Sequence, residues 1–278
     1  MKILVTGATG LVGSRFVELY PNPQELLTPD LNVFDLTNPT EYINKHKPNI
    51  VVNFAAFTDV SAAEKQRGDK NGSCWQVNVE GTRNLVNASP EGTRLIHISS
   101  DMVFSGDSGP YKETDVPESN PDRLTWYGYT KAEAERVVGN RGTIVRIIYP
   151  VRAKYDAKLD YLKKPLSLND QGKLYPLFVD QQINITYIDE LCLALQKIIN
   201  DKLTGIFHVA SRDLTTPHEL ISHYISLARH LSFSAVEGKV DPARYPKYGG
   251  LDTEITQEKL GMRFSSWKEI VKKFLSTS

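Results

Sequence analysis

The 278-residue chain has no excess of either charge, since 33 Lys+Arg offset 33 Asp+Glu. A surface that holds nucleic acid or an anionic membrane needs a basic bias, so neither partner is expected. No apolar run approaches the ~20 residues of a membrane span. The opening MKILVTGATG passes from a short apolar run straight into glycines. It lacks the apolar length and cleavage site of an export signal, and a cytoplasmic location is expected. Cysteine is scarce: Cys74 and Cys192 stand far apart without CxxC spacing. They read as reduced core thiols, not as a disulfide or a metal centre. The six histidines have no metal spacing, so no metal site is expected. His97 and His208 fall inside RLIHISS and GIFHVAS and read as structural. There is no internal repeat, low-complexity tract or separating linker.

What the chain does have is alternation. Short β-branched runs at 2–6, 24–28, 49–55, 94–99, 143–148 and 205–211 interleave with helix-like segments at 11–20, 41–47, 73–88, 127–138 and 185–200. Continuous apolar runs, without strict alternation, imply strands buried on both faces. Repeated βα units of this length imply an α/β fold with a Rossmann-type doubly wound parallel sheet. The pattern loosens at about 151–184 and after 212, which are expected to build a smaller C-terminal substrate lobe. The expected division is a dinucleotide-binding core over 1–152, rejoined by 185–212, and a lobe from 153–184 and 213–278.

TGATGLVG follows the first strand directly, with Gly7, Gly10 and Gly13 opening the first helix. The turn needs positive φ, and the backbone must come close to a pyrophosphate. The helix start then offers unpaired N–H groups and a positive dipole end. After the first strand of a βαβ unit, this spacing points to a nucleotide cradle made by Gly7, Thr9, Gly10, Leu11, Val12 and Gly13. A carboxylate about 20 residues on is expected to meet the adenosine ribose. Asp30 is the first candidate, and Asp35, followed by Leu36, is the second. Asp35 can equally serve a turn. A carboxylate repels a 2′-phosphate, and no basic residue follows Asp30 immediately, which favours NAD(H). Arg15, just after the loop, keeps NADP(H) open.

The stretch TWYGYTKAEAE (125–135) places Tyr127 four residues before Lys131, on one face if the helix is already running. ISSDMVF (98–104) brings hydroxyls to the carboxyl end of a strand, where such sheets bind ligands. Reduction of a ketone needs a donor to the growing oxyanion and a proton to complete it. Ser100 can do the first and Tyr127 the second. A phenol with a pKa near ~10 needs roughly 4 kcal/mol of help to ionise at neutral pH. Lys131 and an oxidised nicotinamide can contribute, and Lys131 can also bond the nicotinamide ribose. Tyr129, without a lysine at i+4, reads as packing.

TGATGLVG, DLT (35–37), NFAAFTDV (53–60), NVEGTRNL (78–85), ISSDMVFSG (98–106), PYKETD (110–115) and YGYTK (127–131) resemble the extended short-chain dehydrogenase/reductases. The branch they are most similar to is the dTDP-4-dehydrorhamnose reductases, which are sugar-nucleotide 4-ketoreductases. The resemblance implies Ser100, Tyr127 and Lys131 as the catalytic set. It implies that Ala55, Ala56 and Phe57 pass the cofactor, with Asn78 supporting that strand end. Arg146 and Tyr149 match the loop beside the nicotinamide. Thr58, Val60 and the turn of Asp101, Met102 and Val103 match segments that face the sugar. The implied substrate is a nucleotide sugar.

Three departures fall where substrate would be read. Met102 stands where the branch commonly has tyrosine, RIIYPV replaces RTSWVY, and VDQQINIT lacks a glycine and a proline. Two other readings therefore stay open: a nucleotide-sugar epimerase or dehydratase, and a cofactor-binding regulatory subunit similar to the methionine adenosyltransferase β subunit. In the superfamily the helices at 73–88 and 127–138 form homodimer seams. Here Glu133 and Arg136 put charge on the second of them, which leaves a homodimer open.

Overall fold

The computed structural model describes residues 1–29, 35–155, 157–241 and 245–277. Its frame is a six-stranded sheet. The chain runs β1 (Ile3–Thr6), α1 (Leu11–Leu19), β2 (Leu26–Leu27), α2 (Thr40–His46), β3 (Ile50–Asn53), α3 (Val60–Glu64), α4 (Ser73–Trp75), a π-helical turn (Gln76–Glu80), α5 (Gly81–Ala88), β4 (Arg94–Ser100), α6 (Trp126–Val138) and β5 (Gly142–Ile147). After β6 (Pro150–Val151), α7 (Lys163–Asp170), β7 (Leu177–Phe178), β8 (Thr186–Tyr187) and α8 (Ile188–Asn200), β9 (Ile206–Val209) completes the sheet. Its order is β2-β1-β3-β4-β5-β9. β1 runs parallel to β2 and β3, and β3 parallel to β4. The chain leaves β1 in one direction for β2 and in the other for β3. The switch point between β1 and β3 is where doubly wound sheets open a ligand crevice at their carboxyl ends.

The strands are buried on both faces, as continuous apolar runs require. Register places Leu4, Val51 and Leu95 side by side. With Ile43, Leu85, Val138 and Ile144 they form one core layer under α2, α5 and α6. Two residues further along each strand, hence on the same face, stand Thr6, Asn53 and His97. At the start of β4, Arg94 donates to the carbonyls of Ile198, Ile199 and Leu203 and so caps α8.

The described residues divide into two units. One holds Met1–Ser105, Val116–Arg146 and Leu195–Phe207; the other holds Gly106–Asp115, Ile147–Ala194 and His208–Ser278. The second unit is built on α9 (Pro217–Arg229), β10 (Glu237–Gly238), α10 (Glu254–Leu260) and α11 (Trp267–Thr277). β6 pairs with β8 and β7 with β10. Tyr224 and Phe274 meet edge to face at 5.6 Å. Glu113 of PYKETD accepts from the Thr256 backbone N–H at 3.0 Å, which ties Gly106–Asp115 to α10.

Two elements differ from expectation. The run ITYIDEL does not begin a helix at 185: Thr186 and Tyr187 pair as β8, and the helix starts at Ile188. The looser tail after 212 contains three helices. α9 carries its own start signal, with Thr216 capping the Glu219 N–H at 3.1 Å and Pro217 in first position.

Candidate active site

Gly7 ends β1 with φ +64°, and a Cβ on it would lie 2.7 Å from the Ala55 backbone nitrogen. A Cβ on Gly13 would lie 2.2 Å from the Gly7 carbonyl oxygen. The two glycines let the loop press against the segment after β3 and against its own helix. Gly10 N-caps α1 without a side-chain bond. Thr9, Leu11 and Val12 line the same turn and first helical positions. The result is a backbone cradle at a helix N-terminus, the form that accepts a diphosphate.

Across the switch point, Ala55, Ala56 and Phe57 follow β3 outside regular secondary structure. Asn78 holds them: its Oδ1 accepts from Phe57 N at 2.8 Å and its Nδ2 donates to Phe57 O at 3.2 Å. Nδ2 also reaches Thr130 Oγ1 of α6 at 2.9 Å. Asn78 lies in the π-helical turn, a local widening that often marks functional sites. Its amide is engaged by protein groups, the Phe57 backbone and Thr130 among them. Asp35 closes a turn, accepting from Thr37 N at 2.8 Å and Thr37 Oγ1 at 2.6 Å. The Leu36 carbonyl accepts from Asn84 of α5 at 3.0 Å. Asp30 lies outside the described residues. Thr58 is exposed and Val60 half-buried at the start of α3, which Asp59 caps through Ala62 N at 2.9 Å.

α6 starts one residue earlier than the propensities suggest, because Thr125 caps it through Gly128 N at 3.0 Å. Tyr127 is thus in the first turn, with Ser100 near enough to act on its phenol. Ser100 Oγ donates to Asp101 Oδ1 at 2.9 Å and accepts from Met102 N at 3.2 Å. Asp101, Met102 and Val103 form a short turn at the end of β4. Burial pushes the Asp101 carboxyl up to about 7. The Tyr127 phenol is held well above its ordinary value, by burial first and then by the Asp101 carboxylate.

Lys131 is fully buried one turn below Tyr127. Its Nζ donates to the Ile98 carbonyl at 2.7 Å and meets His97 Nε2 at 3.0 Å. Burial brings its pKa down to about 8. Tyr129 stacks into an aromatic group with Trp75 and Trp126, at 6.3 and 5.6 Å.

Arg146 is wholly buried, bonded to Glu135 through Nε at 3.0 Å and an Nη at 2.7 Å. Tyr149 belongs to the second unit, stacked on Tyr161 at 4.0 Å with φ +39°. Among the described residues, no group of three or more His, Cys, Asp or Glu could hold a metal ion. No described helix is long and apolar enough to cross a membrane.

Residue composition missed Gly128. A Cβ there would lie 2.1 Å from the Met102 carbonyl oxygen. Only glycine lets α6 approach the 101–103 turn closely enough to set Tyr127 beside Ser100. Gly128→Ala is expected to move that turn by about 1 Å and lower turnover by about 10²-fold. Comparing kcat and Tm of the variant with wild type checks this.

Asp101 gives a pH prediction. A carboxyl whose pKa is raised from 3.8 to about 7 binds protons more tightly folded than unfolded. Its burial therefore costs nothing below pH 4, and the cost grows until pH passes 7. Asp101→Asn is expected to stabilise the fold by on the order of 2–4 kcal/mol at pH 8, a gain that vanishes below pH 4. Urea unfolding at a series of pH values measures it.

The family model of the RmlD substrate binding domain matches residues 1–278. A dTDP-4-dehydrorhamnose reductase of Aggregatibacter actinomycetemcomitans is 27% identical, over 98% of this chain and 97% of its own. The methionine adenosyltransferase 2 subunit beta of Xenopus tropicalis is 28% identical, over 79% of this chain and 70% of its own. The crystal structure of dTDP-4-dehydrorhamnose reductase from Bacillus anthracis in complex with NADP superposes with TM-score 0.86 at 27% identity, covering 100% of both chains.

Proposed function

Because the chain belongs to the family of the RmlD substrate binding domain, we propose that it is an NAD(P)H-dependent reductase of a nucleotide-linked 4-keto-6-deoxyhexose. The observation that carries this reading is the cluster of buried Ser100 and Lys131 with half-buried Tyr127 at the carboxyl end of β4, in one unit with the glycine cradle. The cradle fits a dinucleotide, since Gly7 and Gly13 let the loop fold tightly against the segment after β3 and against α1, and the α1 start then offers its unpaired backbone N–H groups to a diphosphate. Gly7, Gly10, Gly13 and the α1 N-terminus would hold its diphosphate, and the 55–57 backbone would flank it. When bound, the reduced nicotinamide supplies the hydride that reaches C4 of the sugar.

The remaining work falls to side chains of this chain. Ser100 Oγ orients the C4 oxygen by a hydrogen bond. Tyr127 holds its proton on a phenol made reluctant to ionise by burial and by Asp101, and gives it up when the sugar oxygen becomes the stronger base. Thr58, Val60, Met102 and Val103 are the proposed sugar contacts. The division into a cofactor core and a substrate lobe is part of the same proposal. NAD(H) is favoured by the sequence around Asp30, while the NADP-bound relative speaks for NADP(H).

The test is absorbance at the reduced-nicotinamide band, with NADH or NADPH and dTDP-4-keto-6-deoxyhexose generated in place. Oxidation is expected, and the faster of the two cofactors settles the preference. Tight cofactor binding without oxidation would sink the reductase reading. It would favour the second one, a regulatory subunit, which the resemblance to methionine adenosyltransferase 2 subunit beta supports.

A further inference from the structure

The first turn of α6 is held from outside the helix as well as by its own cap. The first four N–H groups of a helix have no partner within it. Thr125 serves the Gly128 N–H from the cap position. The Trp126 N–H, at the first helical position, is served by another element: it donates to Glu64 Oε2 at 3.0 Å. Glu64 closes α3, and its other oxygen accepts from Arg67 Nε. The rest of the Arg67 guanidinium donates to backbone, Nη1 to the Pro121 carbonyl at 2.9 Å and Nη2 to the Leu124 carbonyl at 2.7 Å. These two carbonyls lie at the ends of the short turn that delivers the chain to α6. Tyr127 is the second helical position, between the amide that Glu64 holds and the amide that Thr125 holds.

The Glu64–Arg67 pair is exposed, and an exposed ion pair adds little stability. Its effect here is geometric. A guanidinium offers its N–H groups in one rigid plane, so Arg67 fixes a carboxylate and two carbonyls at once, which a lysine cannot do. Burial alone would raise the Glu64 carboxyl, but Arg67 and the Trp126 N–H outweigh it and hold it below its ordinary value. Both of its oxygens therefore stay acceptors. The brace is itself anchored: Gln66 Oε1 accepts from the Cys74 N–H at 2.9 Å, which fastens the turn after α3 to α4. Val60 opens α3 and Thr58 stands two residues before it. One short helix thus has the proposed sugar contacts at its start and the hold on α6 at its end, roughly 6 Å along its axis.

We propose that Glu64 and Arg67 are positioning residues, which act through the first turn of α6 to set the Tyr127 hydroxyl and so fix the proton donor relative to the sugar-facing segment. The relation to the sugar rests on the reductase reading; the placement of Tyr127 does not.

The experiment has two readouts on the intact protein. The first is a carbon-13 spectrum of tyrosine-labelled protein, in which Tyr127→Phe identifies the Tyr127 signal among those of the 13 tyrosines. Glu64→Ala and Arg67→Ala are expected to shift or broaden that signal and to leave those of Tyr42 and Tyr224, on other elements, in place. Arg67→Lys keeps the charge without the planar fork and is expected to match Arg67→Ala. Glu64→Gln keeps an acceptor for the Trp126 N–H and is expected to restore most of the wild-type position. A Tyr127 signal unchanged in both alanine variants would overturn the proposal, whatever the activity.

The second readout is steady-state kinetics with a 4-keto sugar, beside a cofactor titration. In the alanine variants kcat is expected to fall by about 10–10²-fold. Cofactor affinity stays unchanged, and Tm drops by no more than about 4 °C. A pair with only a structural role would lower Tm and leave the kcat of the folded protein alone, and that result would overturn the assignment. A wild-type protein that binds NAD(P)H but does not oxidise it would sink the reductase reading instead, and the tyrosine signal would still decide the placement.

Discussion

Tyr127→Phe is expected to lower turnover with a 4-keto sugar by about 10²–10⁴-fold while cofactor binding persists. The hydroxyl is the only part removed, and Ser100 at the end of β4 is near enough to act on it. Removing it leaves the ring, the Thr125 cap of α6 and the Lys131 contacts to Ile98 and His97 in place. The variant should therefore fold and bind NAD(P)H as wild type does. An interaction needed only as the oxygen takes its proton lowers kcat and kcat/KM together. Steady-state kinetics beside a cofactor titration separates this from loss of binding. A variant that keeps wild-type kcat would remove Tyr127 from its proposed role.

The second large effect is on stability. Arg146 and Glu135 form a two-bond ion pair with both side chains almost fully buried, and the guanidinium lies 4.8 Å from the Phe104 ring centre. Glu135→Leu leaves a guanidinium buried without its partner, and Arg146→Met does the same to a carboxylate. Each is expected to cost about 3–5 kcal/mol, on the order of 10 °C in Tm. The double variant puts apolar volume in place of both charges and should recover most of the loss. Thermal unfolding of the two single variants and the double forms the cycle; additive losses would show that the pair is not coupled. Glu135 also lies one turn beyond Lys131 and favours its charged form, so the Glu135 variant should lower the Lys131 pKa further.

What could be read in advance follows from how local each signal is. The glycine loop, the serines that end β4 and the i,i+4 spacing of Tyr127 and Lys131 are complete within about ten residues, and the chain alone displays them. Arg146 stands inside β5, and its partner Glu135 lies across a helix–strand contact that no short window contains. The buried row of Thr6, Asn53 and His97 is harder still. It needs the register of three strands, and each residue alone looks like an ordinary strand end. Gly128 was visible as a poor helix former, but its reason, the Met102 carbonyl 2.1 Å from a would-be Cβ, belongs to the packed structure. β8 was lost because Thr186 and Tyr187 adjoin a strongly periodic helix, and a two-residue strand has no period of its own.

The wide turn at Gln76–Glu80 also bears on ancestry. Such a turn holds one residue more than the regular helix around it, so it is the trace left when a helix gains a residue and bulges to absorb it. Deleting one residue there would give a more regular helix. It would also rotate Asn78 by roughly 100° about the axis, away from the Phe57 backbone that it clamps. When this chain is aligned with a relative whose helix is regular, a single gap belongs inside 76–80. Without that gap, every helix position on one side of the bulge is matched to the wrong neighbour.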